Sequence, residues 1–186
     1  DPNWQAVAMK NTFDPDVRRV ANLMADAARA AILPYFRTMG LAADNKRVDD
    51  FDPVTEADRA AERAMREILA RERPQDGILG EEYGAQAGLS GLTWVLDPID
   101  GTRGFISGTP TWGVLIAVSD ASGPFYGIID QPYIGERFEG RPDGATLVGP
   151  QGRCELQTLK PRDLSQAIVF TTFPEVGTNA DRKGFD

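Results

Sequence analysis

Trp94-Val95-Leu96-Asp97-Pro98-Ile99-Asp100-Gly101-Thr102 is an apolar run that stops at two carboxylates flanking a proline and then turns through Gly-Thr. It reads as a strand whose end delivers acidic side chains into a common space, because proline cannot continue a ladder and glycine permits the turn. Gly80-Glu81-Glu82 brings a further carboxylate to the end of another apolar element. Glu81, Asp97 and Asp100 together make an all-oxygen donor set of the kind that suits Mg2+.

Each piece alone has a plainer meaning. Thr55 and Asp58 have the spacing of a helix cap, Glu81-Glu82 reads as a solvated turn, and Asp97 to Gly101 as a β-turn. Their joint appearance in one order, each at the end of an apolar element, points to a site instead. Gly101-Thr102-Arg103-Gly104-Phe105-Ile106 follows the carboxylates directly. A helical turn beginning there aims backbone amides back at the acidic cluster, and the first amides of a helix lack internal partners and favour an anion. Metal and phosphate then meet at one point, the arrangement that phosphate-ester hydrolysis requires.

Outward from this stretch, the pattern divides into helices first and strands after. Asp14-Pro15 signals a helix start, with Val17, Val20, Met24, Ala27, Ala28, Ala31 and Tyr35 on one face. Pro34 is expected to kink or end it and Gly40 to close it. The polar stretch from Ala43 to Phe51 is a loop or the turn of a hairpin, in which Lys46 or Arg47 is a loop charge or a group approaching the site. A second helix begins at Thr55-Glu56-Ala57-Asp58, with a face of Ala57, Ala60, Ala61, Ala64, Met65, Ile68 and Leu69. Short strands are expected at 78–79, 93–96, 114–118, 125–129, 145–148 and 167–170, separated by Gly, Pro, Ser and Asp. The fold class is therefore α+β, a layered arrangement with helices packed on one face of a largely antiparallel sheet. Residues 1–13 show no sustained period and read as an N-terminal arm, leaving 14–186 as the folded part.

Composition narrows the function. The chain has 186 residues, 41% apolar and 26% charged, in the range of globular proteins. Its formal charge is -8 and its 20 basic residues are scattered, so nucleic acid is not an expected partner. No apolar run approaches a membrane span and no signal-peptide pattern stands out, so a cytoplasmic location and no membrane partner are expected. There is no histidine and one cysteine, Cys154. That excludes serine-histidine and cysteine-histidine catalysis and the usual zinc sites. Cys154, between Arg153 and Glu155 in a short strand after a turn, reads as structurally incidental.

Asp52-Pro53-Val54-Thr55-Glu56-Ala57-Asp58, then Gly80-Glu81-Glu82, then Trp94 to Thr102 resembles the inositol monophosphatase family of Mg2+-dependent, lithium-sensitive phosphatases. The resemblance runs from about Asp14 to the end of the chain. Phe105 to Gly113, Gly127 to Pro132 and Gly135-Glu136-Arg137-Phe138 are similar to the histidinol-phosphate phosphatase branch. The resemblance implies a layered α/β sandwich and metal ligands at Glu81, Asp97, Asp100 and the main-chain carbonyl of Ile99. Glu81 would sit on the ion that activates water, and Asp97 would bridge two ions. Thr102, hydrogen-bonded to Asp58, would orient and help deprotonate the water, while the amides of Gly101 and Thr102 hold phosphate and Arg103 meets substrate.

Two or three Mg2+ ions are implied, with Mn2+ as a substitute, together with a small phosphorylated metabolite as partner and a homodimer. Hydrolysis of histidinol phosphate, in histidine biosynthesis, is the leading activity. Inositol 1-phosphate, and after it a 3'-phosphonucleotide or fructose bisphosphate, are alternatives within the class. The family's C-terminal segment, with a further metal-ligating Asp, has no match between Ala167 and Asp186. A catalytically incomplete metal- or partner-binding module is thus the alternative of another class.

Overall fold

Asp14 begins the first helix as its place before Pro15 suggests: its carboxylate accepts from the Asp16 amide at 2.9 Å. Proline loses nothing by lacking an N–H in a first turn, and helix α1 spans Pro15–Ile32. The computed structural model describes residues 14–38, 43–45 and 53–159, with the single positions 163, 165, 167 and 168. The expected face of α1 is buried at Val17, Val20, Met24 and Ala28, joined by Ala21, Ala25 and Ile32. Ala27, Ala31 and Tyr35 are only partly buried, because they fall on the flank of that stripe. The helix ends ahead of Pro34, while Gly40 lies outside the described residues.

The stretch from Ala43 opens as strand β1 (Ala43–Asn45), which pairs antiparallel with β2 (Pro53–Thr55), so the hairpin reading holds. Residues 46–52, with Lys46 and Arg47, lie outside the described residues. Thr55 then caps helix α2 (Glu56–Glu72) in a complete capping box. The Ala57 amide donates to the Thr55 hydroxyl at 3.2 Å, and the Thr55 amide donates to Asp58 at 2.8 Å. Ala57, Ala61, Met65 and Leu69 are buried as expected, but so are Asp58 and Glu62, two acids on the core side of the helix.

Strands β3 (Gly77–Gly80), β4 (Gly84–Gln86) and β5 (Thr93–Asp100) are followed by helix α3 (Thr102–Ile106). Then come β6 (Gly113–Asp120), β7 (Gly123–Gln131), β8 (Glu136–Arg141), β9 (Gly144–Gly149) and β10 (Gly152–Leu156). They form one eight-stranded sheet in the order β10-β9-β8-β7-β6-β5-β3-β4. Every pairing in it is antiparallel except that of β3 with β5. Helices α1 and α2 pack on one face, onto Trp94, Leu96, Val114, Ile116, Val118 and Ile128, the alternate residues of the central strands. Fully burying side chains of this size stabilises by about 1.5–3 kcal/mol each.

β4 and β8 were not expected from the sequence. Gly-Ala-Gln has no apolar alternation, and Glu-Arg-Phe-Glu-Gly-Arg reads as surface; both are strands because a neighbour offers a ladder. The expected strand 167–170 is not found in its described half, since Ala167 and Ile168 are in no strand, and 169–170 lie outside the described residues. Cys154 sits in edge strand β10 and is exposed.

Candidate metal and phosphate site

Glu81 and Asp97 are brought together by the parallel pairing of β3 with β5. Its register places Gly80 opposite Leu96, and the Glu81 amide continues the ladder by donating to the Leu96 carbonyl at 3.1 Å. The next residue on each strand is then an acid. Asp100 joins through an irregularity in β5: Asp97 faces Leu115 and Asp100 faces Gly113 on β6, so β5 carries one extra residue between them. Strict alternation from Trp94 and Leu96 would point Asp100 into the core. The extra residue resets it, so that Ile99 is buried and Asp100 is exposed. Pro98, which has no N–H to offer a ladder, belongs at such a place.

Asp97 reports how crowded the corner is. Burial, a side-chain hydrogen bond with Glu81 and the charges of Glu81, Asp100 and Asp58 push its pKa up to about 8. Two carboxyl groups within hydrogen-bond reach share a proton when no cation lies between them. The second oxygen of Asp97, Oδ1, is buried and has no hydrogen-bond partner. A cation answers both features, since it supplies charge and takes the lone pairs of a hard oxygen donor. Among the described residues the carboxylates are neighbours, and no three of them are drawn up around one point in ligand geometry. The residues present fit a divalent cation: Glu81, Asp97, Asp100 and the Ile99 carbonyl provide oxygen donors only.

The turn into α3, where phosphate is expected, is shaped by Gly101. Its φ of 87° is left-handed, and a Cβ there would meet the Thr111 carbonyl oxygen at 2.6 Å, so only glycine serves. The chain then turns into α3, which is held from behind by an aromatic cluster. Phe105 meets Trp112 edge-on with ring centres 5.0 Å apart, and Phe36 lies 5.4 Å from Phe105 and 4.8 Å from Tyr133. Arg37 ties the same region down through the Gly108 carbonyl at 2.9 Å and the Tyr133 hydroxyl at 2.5 Å.

The Thr102 hydroxyl donates to the Ile99 carbonyl at 3.0 Å. The expected bond from Thr102 to Asp58 is thus replaced, because a hydroxyl has one proton to give. Asp58 instead takes the Thr55 amide and hydroxyl on Oδ2 and is buried. It still bears on Asp97 by its charge. Arg103 is exposed on α3. One acid at this corner escaped the sequence reading: Glu62, fully buried one helical turn beyond Asp58. The signal for it was the four-residue spacing of Asp58 and Glu62 on the apolar side of α2.

The model of the inositol monophosphatase family matches residues 15–183. The chain is 38% identical to the Arabidopsis thaliana protein named bifunctional phosphatase IMPL2, chloroplastic, over 99% of this chain and 53% of that one. It is 40% identical to a Streptomyces coelicolor histidinol-phosphatase over 72% of this chain and 51% of the relative. Among solved structures, an inositol monophosphatase from Zymomonas mobilis is similar with 46% identity and a TM-score of 0.60, covering 73% of this chain and 51% of that one. Mycobacterium tuberculosis SuhB is similar with 34% identity and a TM-score of 0.65, covering 82% of this chain and 56% of that one. The chain spans about half the length of the curated relatives it matches.

Proposed function

Because the chain belongs to the inositol monophosphatase family, we propose that it works as a Mg2+-dependent phosphomonoesterase and that its substrate is histidinol phosphate. The observation that carries the activity is Asp97: half-buried beside the charges of Glu81, Asp100 and Asp58, pushed up to about 8, and with its buried Oδ1 unsatisfied. Strongly perturbed carboxyl groups of this kind cluster at functional sites, and an unsatisfied hard oxygen donor among acids suits a divalent cation. The family's histidinol-phosphatases, 40% identical in Streptomyces, favour that substrate. The Zymomonas inositol monophosphatase, 46% identical, supports inositol 1-phosphate as a second reading.

In this reading Glu81, Asp97, Asp100 and the Ile99 carbonyl hold the Mg2+, and Mn2+ substitutes for it. When bound, the ion supplies an activated water and offsets the charge of the ester and its leaving oxygen. The amides of Gly101 and Thr102 take the phosphate oxygens, which the left-handed turn at Gly101 lets approach the backbone closely. The Thr102 hydroxyl donates to Ile99 and keeps its lone pairs to accept a hydrogen bond from the attacking water. Asp58, which takes the Thr55 amide and hydroxyl, acts on the site through its charge on Asp97. Arg103 lies at the rim, where its charge meets the substrate.

The test is phosphate release from histidinol phosphate and inositol 1-phosphate in parallel, with Mg2+ and with a chelator, using Asp100→Asn as the blank. Chelator-sensitive release that favours histidinol phosphate is the expected result. Release that persists in the chelator or in the blank overturns the metal reading. Bound Mg2+ without release from either ester assigns this chain to binding without turnover.

A further inference from the structure

Glu62 has no part in the chemistry above, yet it is among the largest side chains with no solvent exposure at all. Burying a carboxylate costs several kcal/mol that one partner seldom offsets fully. Packing alone would be served better by an apolar residue of similar size. The Glu62 carboxylate does something such a residue cannot: its Oε2 accepts the Glu82 amide at 2.6 Å and its Oε1 the Tyr83 amide at 3.3 Å. Arg66, one turn along α2, donates to Oε1 at 2.7 Å and balances the charge. These amides belong to the turn that begins with Glu81.

The strand before the turn is shaped around the same carboxylate. A Cβ on Gly80 would lie 1.9 Å from Glu62 Oε1 and 2.4 Å from Cδ, so the glycine makes room for the acid. The turn is also held from α2 by Arg63, which donates to the Tyr83 hydroxyl at 2.6 Å, and by Arg66, which donates to the Gly84 carbonyl at 2.5 Å. Asp58 and Glu62, on one face of α2, thus serve the two halves of the corner: Asp58 acts on Asp97 and Glu62 on the segment that carries Glu81.

We propose that Glu62 is a positioning residue: by binding the Glu82 and Tyr83 amides it fixes the backbone of the Glu81 turn and so sets how tightly the site holds its divalent cation. This rests on the metal reading of the same site. Partners behind metal ligands typically change affinity 10–100-fold when removed.

The experiment compares wild type, Glu62→Gln, Gly80→Ala and the exposed control Glu67→Gln, using the electron paramagnetic resonance of free Mn2+ to measure binding. Hydrogen exchange of the segment spanning 81–83 is followed on the same samples. Glu62→Gln is expected to weaken Mn2+ binding about tenfold or more and to speed exchange in that segment. KM for the ester at saturating Mg2+ should stay unchanged, and kcat should recover as Mg2+ is raised. Gly80→Ala, which displaces the carboxylate, is expected to give the same signature and decides the matter if Glu62→Gln does not fold. Wild-type Mn2+ affinity in a folded variant of either kind overturns the positioning role alone. A wild type that binds no Mn2+ overturns the metal reading and this role with it.

Discussion

Two groups of carboxylates, one where α1 meets the sheet and one at the end of β5, are treated in opposite ways. Where α1 crosses β7 and β8, Asp130 is fully buried and takes Arg29 and Arg137, each at 2.7 Å. Glu139 beside it takes Arg18 at 2.6 Å and the Tyr126 hydroxyl at 2.8 Å. Burial pushes Glu139 up, but the bonds from Arg18 and Tyr126 outweigh it and hold the group below the usual carboxylate range. At the end of β5, Asp97 is pushed the other way by burial and by three acids. The seam brings its own cations, so its charges fasten a helix to a sheet. At the corner the leading influences on Asp97, burial and the neighbouring acids, all raise it.

That contrast breaks most visibly at Asp97. Asp97→Asn is expected to lower Mg2+-dependent phosphate release at least about a thousandfold, about 4 kcal/mol of barrier. Without divalent ions it should raise the thermal midpoint, by about 2–4 °C for each kcal/mol of repulsion removed. Steady-state kinetics and a melt in chelator measure the two effects, and a variant less stable than wild type in chelator counts against the crowded corner. The mirror experiment is Asp130→Asn, which leaves two guanidinium groups without their buried counterion. It should cost about 3 kcal/mol of stability by denaturant unfolding while the Mn2+ affinity of the folded protein is kept.

Thr102→Ala sharpens the chemistry within the corner. If its hydroxyl acts on the attacking water and not on the ester, as proposed, its loss lowers kcat about a hundredfold with little change in KM; a rise in KM alone would reassign it to binding. The smallest effect concerns pH. Glu139 is held below its ordinary value, as is Asp76, where burial is outweighed by bonds from Ser90, Trp94 and Arg73. Lowered carboxylates bind fewer protons folded than unfolded, so their contribution is full above the ordinary carboxylate range. It is lost as pH falls through their lowered folded values. A denaturation series from about pH 5 to about pH 2 should show stability falling over that interval, and less steeply in Glu139→Gln.

Much of the fold was legible because its signals are local. Asp14-Pro15 and Thr55 with Asp58 mark helix starts through bonds that span two or three residues, and both helices begin there. Apolar alternation marked β5, β6 and β7, which lie at the centre of the sheet. β4 and β8 were illegible since their own residues carry no such alternation, and only the edges beside them make them strands. Glu62 was missed for a related reason. An acid among alanines on a helix reads as exposed until a turn some 20 residues away is seen to donate its amides to it.

From residue order alone came the carboxylates at Glu81, Asp97 and Asp100, the glycine at 101 and the absence of histidine, and with them the kind of chemistry open to the chain. These depend on side-chain identity and on neighbours a few bonds away. Only the folded molecule decided that β3 runs parallel to β5, so that Glu81 lies beside Asp97, and that one extra residue turns Asp100 out of the core. It also decided that burial and neighbouring acids push Asp97 up to about 8 while Arg18 and Tyr126 hold Glu139 below the usual carboxylate range. The same kind of side chain behaves in opposite ways because its charge is set by burial and by the sign of whatever distant segments the tertiary structure packs against it.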